Sequence, residues 1–382
     1  MTALGDGVTL ADLEGDPHPV LARLRRAEPV AWLPVLDGWL VTRHDLAVRT
    51  MRDGRTFTVD DPRFSTARLV GPSMLSLDGR EHARHRAPFR RPFRPAEVRA
   101  GYADVVSAEV DRLVSRLAPD GSAELRRGLA GPLAVTVVAA MLGIADADGD
   151  AVLAWYDDIV TSVSGLSAGR DLTEAGHRSF ASLRTGIEAT VDDDRDTLLR
   201  SAADDLALPE VVANAAVLMF GGIETTEGMI ANALVHLLTH PEQRALVDAE
   251  PALLTTAIEE SLRLEPAAAT VDRYATADVE LGGASVRRGD LVTVSITGAN
   301  RDPAVFADPD RFDVRRANVH QHLAFAHGAH FCLGADLARL EAEVALRAAL
   351  TRLPGLRLDD QAPRPHGLVF RKPDAVRVRW DT

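Results

Sequence analysis

Phe325-Ala-His-Gly328-Ala-His330-Phe-Cys332-Leu-Gly334 holds the only cysteine of this chain, and it stands directly before a strong helical pattern. A lone cysteine can form no intrachain disulfide and no four-thiolate zinc or iron–sulfur site. It is either a buried apolar thiol or a single reactive thiolate. Glycines at −4 and +2 allow tight turns and close backbone approach to a flat ligand. The N-terminus of the following helix favours a thiolate. Such a thiolate is a nucleophile or a metal ligand. A nucleophile would want His330 as its base. A haem ligand would want a bulky apolar neighbour such as Phe325 and a cation such as His330.

The rest of the chain sets bounds. It has 382 residues, 46% of them hydrophobic, and a formal net charge of −13. That charge argues against general nucleic-acid binding. Met1–Asp16 lacks a basic region followed by an apolar stretch, so no signal peptide is expected. No run approaches about 18 apolar residues, so no membrane span is expected either. The expected location is the cytoplasm. Lys372 is the only lysine among 43 fixed cations, a bias read here as genomic base composition rather than chemistry.

Periodicity predicts a mainly α chain with small β-sheets. Val20–Arg26 reads as a helix, and Val30–Leu33 with Gly38–Thr42 as a strand pair. Positions 45–266 are mostly helical. Asp78 is placed to cap a basic helix ending near Phe89. Helices are expected over Glu124–Leu142, Asp148–Val163 and Pro251–Leu264. Leu208–Leu238 should be a long helix interrupted at Gly221-Gly222. Positions 267–334 are β-rich and irregular around the cysteine loop. Positions 335–382 add a final helix, begun near Leu333, and a hairpin of Val369-Phe370 with Val376–Trp380.

The cysteine segment resembles the haem-binding loop of the cytochrome P450 superfamily, Phe-x-x-Gly-x-(His/Arg)-x-Cys-x-Gly. Phe325, Gly328, His330, Cys332 and Gly334 match it; Ala326 stands where bacterial members often have glycine. Glu260-Ser-Leu-Arg263 is similar to the family's Glu-x-x-Arg pair, whose i, i+3 spacing shares one helix face. The resemblance implies that Arg311 locks that pair. Gly221-Gly222-Ile-Glu224-Thr225 resembles the oxygen-binding groove, with Glu224 and Thr225 as the acid–alcohol pair. His82 and Arg86, spaced i, i+4, together with Arg273 and His330, resemble the family's propionate anchors. Asp272 would weaken the Arg273 anchor or contact a substrate.

What the resemblance implies is one P450 domain over 1–382, with the haem between the long central helix and the helix after the cysteine loop. Cys332 would ligate the iron of haem b (heme, iron protoporphyrin IX), held also by Phe325, Gly328, Gly334 and Gly222. The expected activity is a soluble bacterial haem-thiolate monooxygenase acting on an apolar organic molecule, such as a secondary metabolite. Electrons would come from NAD(P)H through a reductase and a separate ferredoxin or flavodoxin. That partner would dock near Arg80, Arg84, Arg90 and Arg91, beside Arg86 and Arg94, on a monomer. The substrate pocket would draw on Thr58–Leu77, Val217–Gly221, Ala267–Val271 and Leu368–Phe370, under a short acidic lid between Ser167 and Leu208. The alternatives are a peroxide-driven fatty-acid peroxygenase, which usually replaces the acid–alcohol pair with an arginine, a non-catalytic recruitment module on the same fold, and a cysteine-nucleophile hydrolase without haem.

Overall fold

A computed structural model describes residues 3–144, 149–167, 170–192, 197–359 and 363–382. Most of the acidic run Asp192–Asp196 therefore lies outside the described residues.

The central element is the helix Leu208–Thr239. Pro209 starts it without losing a useful donor, and the Glu210 carboxylate accepts the Ala207 N–H at 2.9 Å. Its first half is apolar on nearly every side, so it must be covered all round. The helices Gly131–Leu142, Leu253–Leu264 and Ala335–Arg352 supply much of that cover. The last of these also packs along the helix Pro95–Leu117.

The main sheet runs in the order Val30–Leu33, Gly38–Val41, Leu291–Ser295, Thr270–Ala275, Phe57–Thr58. The Gly38–Val41 and Leu291–Ser295 strands are parallel, and the other neighbours are antiparallel. The N-terminal hairpin is thus completed by strands from the second half of the chain. Among the described residues no helix is long and apolar enough to cross a membrane.

Three expectations about elements need correction. Glu124–Leu142 is not one helix. Ser122–Glu124 is a strand, followed by a π-helical turn over Arg126–Ala130 and an α-helix from Gly131. The Glu124 carboxylate accepts the N–H groups of Arg126, Arg127 and Val376, which ends the strand there. Val369-Phe370 and Val376–Trp380 do not pair with each other. Phe370 bridges Ala268, while Arg377–Arg379 joins Ser122–Glu124 and Arg357–Leu358. Arg371 and Pro373 divide the two runs: the buried Arg371 guanidinium donates to Glu265 and to five backbone carbonyls, including those of Glu14 and Gly15. Finally, the central helix is not interrupted at Gly221-Gly222. A Cβ on Gly222 would stand 2.7 Å from the Val138 side chain. That glycine is therefore required by the close approach of a neighbouring helix, which offsets the roughly 1 kcal/mol it costs the helix.

Candidate active site

The cysteine loop is built by short-range geometry. Phe325 is buried, and the Cys332 N–H returns to its carbonyl at 2.9 Å. Gly328 has φ +79°, and a Cβ there would meet the Met51 carbonyl oxygen at 2.7 Å. Ala326 also has positive φ, +59°. The final helix begins at Ala335 with Gly334 as its N-cap. Burial pushes the Cys332 thiol up; the Gly334 N–H and the charges of Arg86 and Arg339 act the other way.

Cys332 and Gly334 line a cavity of about 330 Å³, together with Phe325, Leu337 and Ala338 from the same end of the chain. Gly221, Gly222, Thr225 and Thr226 of the central helix line it too. The Thr225 hydroxyl donates to the Gly221 carbonyl at 2.6 Å, one turn back. Apolar walls come from Val59, Phe64 and Leu75, from Val217 and Leu218, from Ala267 and Val271, and from Val369 and Phe370. These stretches are the ones expected to form the pocket.

Two arginines and a histidine border the same cavity: Arg86, Arg273 and His330. Burial lowers the pKa of each. Arg86 reaches the Phe331 carbonyl at 2.6 Å. His82 lies against His330, ring centroids 4.3 Å apart. Its Nε2 is buried with no hydrogen-bond partner, and burial holds its pKa down at about 4.

Asp78 was expected as a helix cap. It makes no side-chain cap; its carboxylate accepts from Thr58, from the Val59 N–H and from His330 at 2.8 Å. It thus joins Arg86, Arg273, His330 and His82 in this group, though read in the sequence only as a capping residue. Asp272 does not hold the Arg273 guanidinium through its carboxylate. Arg273 donates to the Asp272 backbone carbonyl at 2.7 Å, and the Asp272 side chain accepts from Thr293. Burial raises its pKa.

Glu224 and Thr225 are adjacent but face different spaces. Thr225 lines the inner cavity. Glu224, 5% exposed, lines a separate pocket. There it accepts from the Tyr156 hydroxyl and from Lys372 Nζ, the latter at 2.8 Å. Lys372 also pairs with Glu227. Neither Tyr156 nor Lys372 was singled out for this site, although a lone lysine in an arginine-rich chain was a usable signal.

Glu260 and Arg263 pair at 2.7 Å with both side chains 0% exposed. Arg311 does not lock them; its side chain is exposed and only its carbonyl accepts from Arg263. The locking cation is Arg316, whose Nε lies 2.9 Å from Glu260. The two arginines stand five positions apart in irregular chain, and no periodicity registers that shift.

Residues 181–374 match the family model for cytochrome P450. The chain belongs to the cytochrome P450 family. It is 36% identical to the cytochrome P450 monooxygenase PikC of Streptomyces venezuelae, over 97% of this chain and 92% of that one. It is also 36% identical to nocardicin C N-oxygenase of Nocardia uniformis subsp. tsuyamanensis, over 98% and 97%. The P450 fold is matched by the crystal structure of CalO2, with a TM-score of 0.88, 30% identity and 96% of each chain covered. Membership implies a haem and a P450 monooxygenase. The residues fit that group: a single soft sulfur donor in an apolar floor, glycines opposite it, and cations with an unpartnered buried histidine nitrogen along one edge, where two carboxylates would complete them.

Proposed function

We propose that this P450 inserts one atom of dioxygen into an apolar organic molecule, in the cytoplasm, as a tailoring step of secondary metabolism. The supporting observation is that Cys332 and Thr225 line one predominantly apolar cavity, with the cations confined to one edge. Cys332 would bind the iron, and coordination would displace the thiol proton that burial otherwise retains. Arg86, Arg273, His330 and His82 would take the propionates. The haem, when bound, supplies oxygen activation and attack on carbon. The chain's own residues do the rest. Val59, Phe64, Val217 and Phe370 exclude water and orient the substrate. Thr225 presents a hydroxyl to the cavity, and Glu224, which lines the neighbouring pocket, supplies protons to it. The acid–alcohol pair disfavours the peroxide-driven alternative.

Two electrons would come from NAD(P)H through a separate ferredoxin or flavodoxin. Arg80, Arg90 and Arg91 are exposed on and beside the basic helix and suit an acidic partner. Arg84 is otherwise engaged, paired with Glu210 at 2.6 Å and with Glu81 at 2.9 Å. Charge reversal at Arg90 should slow reduction without changing haem content.

The first test is the carbon monoxide complex of the reduced, haem-loaded protein. A strongly red-shifted Soret band supports thiolate ligation by Cys332. A histidine-type band, or no haem uptake by folded protein, would refute the proposal.

A further inference from the structure

Among the described residues, two carboxylates line the cavity that holds Cys332 and Thr225: Glu341 and Asp272. They differ in state. Glu341, on the final helix, is 2% exposed, and one of its oxygens is buried without a hydrogen-bond partner. Burial raises its pKa well above the ordinary value, so it sits there as a neutral acid. Asp272 is half-buried on the strand Thr270–Ala275, between Val271 and Arg273 in the cavity wall. Its carboxylate accepts one hydrogen bond, from the Thr293 hydroxyl to Oδ1 at 2.7 Å. The second oxygen, Oδ2, has no partner and is not sealed off as the Glu341 oxygen is.

The cations near Asp272 are committed elsewhere. Arg273 follows it in the strand and so projects from the opposite face. Its guanidinium donates to the Asp272 backbone carbonyl, and its charge acts on Asp78 and His330 at the edge suited to the propionates. Tyr274, on the same strand face as Asp272, is covered by the Arg63 guanidinium, 4.4 Å from the ring centroid. Arg63 in turn pairs with Asp61 at 2.8 Å and donates to the Gly289 carbonyl. No arginine, lysine or histidine forms an ion pair with Asp272 among the described residues.

That sets Asp272 apart from the other interior carboxylates. Glu260 is paired by Arg263, Glu265 by Arg371 and Glu224 by Lys372. A carboxylate withdrawn from water is costly unless a cation or several donors meet it. Glu341 escapes that cost by holding its proton. Asp272 keeps an open oxygen in an otherwise apolar wall, a place for a cation that the chain does not supply. We infer that Asp272 is a specificity-determining residue and that the substrate is an apolar molecule carrying one basic, positively charged nitrogen. The nitrogen pairs with Oδ2 while the apolar body lies against Phe64, Val217, Val271 and Phe370. The net charge of −13 favours approach of such a cation. The same carboxylate repels fatty acids.

This inference rests on the proposed monooxygenase reading, and the test keeps the two apart. Haem-loaded ferric wild type, Asp272→Asn, Asp272→Ser and Thr293→Val are titrated calorimetrically with octyltrimethylammonium, 1-octanol and octanoate. These probes share a chain and differ in charge. A quaternary nitrogen cannot ligate iron, so its gain over the alcohol reports the carboxylate. Wild type should bind the ammonium about 10-fold or more tighter than the alcohol, and octanoate weakest. Both Asp272 variants should bring the ammonium within about 2-fold of the alcohol and leave the alcohol unchanged. Asp272→Ser guards against a misfit of the asparagine amide. Thr293→Val removes only the hydrogen bond between the strands and should keep the preference. If wild type does not prefer the ammonium, or binds none of the probes, the inference is overturned. A preference that survives in folded Asp272 variants overturns it as well. So does a loss in Thr293→Val as complete as in Asp272→Asn, since Asp272 would then be a tie between strands. The carbon monoxide band is recorded separately. Its absence in wild type would refute the monooxygenase reading, while the calorimetric preference would still report whether Asp272 selects cations.

Discussion

Two buried charge clusters serve this cavity, and they are built on opposite principles. Glu260, Arg263 and Arg316 hold the chain that leads into the cysteine loop. Arg263 donates to the carbonyls of Asn300, Pro309 and Arg311, and Arg316 to those of Ala307, Asp308 and Arg311. Both arginines also share Glu260. No donor or acceptor on these three side chains is left buried without a partner. The cluster around Glu224 and Lys372 instead borders a pocket lined by exposed residues such as His366 and Asp374, and there Glu224 and Glu227 share a lysine rather than an arginine held by backbone carbonyls. Cations anchored to backbone carbonyls fix geometry, whereas a cluster that opens on a pocket leaves its carboxylate within reach of solvent.

The sharpest way to break this contrast is to remove a cation from the saturated cluster. Arg316→Met leaves Glu260 with a single cationic partner, and the loss should be about 3–5 kcal/mol of stability, with poor haem retention. Arg311→Met should change stability by less than about 0.5 kcal/mol, because its side chain is exposed and its carbonyl remains. Denaturant midpoints with equal slopes would decide it. Similar losses in both variants would mean that the lock is not where the geometry places it.

That pair of arginines also measures how much the sequence conveyed. The Glu260–Arg263 spacing, the cysteine loop and the long central helix were legible because local periodicity and short-range motifs encode them. Arg316 was not, since the segment from Asn300 to Leu323 has no repeat by which to register a side chain. Asp78 was read as a cap because its position before a helix is a local signal; its turn toward His330 depends on a residue 252 positions away. The hairpin expected at the C-terminus failed for the same reason. Arg377–Arg379 has several possible strand partners, and only the folded arrangement selects Ser122–Glu124. Glu224 was found, but not which side of its helix it serves.

The saturated side predicts a pH response. Burial alone would raise the pKa of Glu259, but hydrogen bonds from His322 and Arg339 hold it down at about 2, below the ordinary glutamate value of 4.5. The folded state therefore binds fewer protons than the unfolded state in that window, so stability rises with pH there. Glu259 contributes fully above about pH 4.5, and the contribution is lost as pH falls toward 2. Since Arg339 lies 4.4 Å over the Phe325 ring, acid should loosen the cysteine loop as well. Glu259→Gln should flatten the acid limb of the stability curve, a difference of roughly 1–3 kcal/mol between pH 5 and 2. An unchanged limb would show that His322 and Arg339 do not hold the carboxylate as the geometry indicates.

The smallest effect tests how tightly the cysteine loop itself is specified. Ala326 and Gly328 both have positive φ, yet their surroundings differ. The closest contacts of Gly328 are backbone: a Cβ would meet the Met51 carbonyl oxygen at 2.7 Å and the Arg52 Cα at 3.1 Å. Gly328→Ala therefore combines an unfavourable dihedral with a clash that no side chain can relieve. Ala326 already tolerates its Cβ, and only the dihedral is strained. A left-handed conformation costs a non-glycine residue about 1–2 kcal/mol, while glycine adds about 0.4–1 kcal/mol of unfolded-state entropy. The difference leaves Ala326→Gly neutral to about 1.6 kcal/mol stabilising, with the carbon monoxide band unchanged. Gly328→Ala should be destabilising by more than that dihedral term alone. If Ala326→Gly destabilises, the Ala326 methyl must contribute packing against the sheet-side core that outweighs its strain, and the loop would depend on side-chain contacts as well as on backbone geometry.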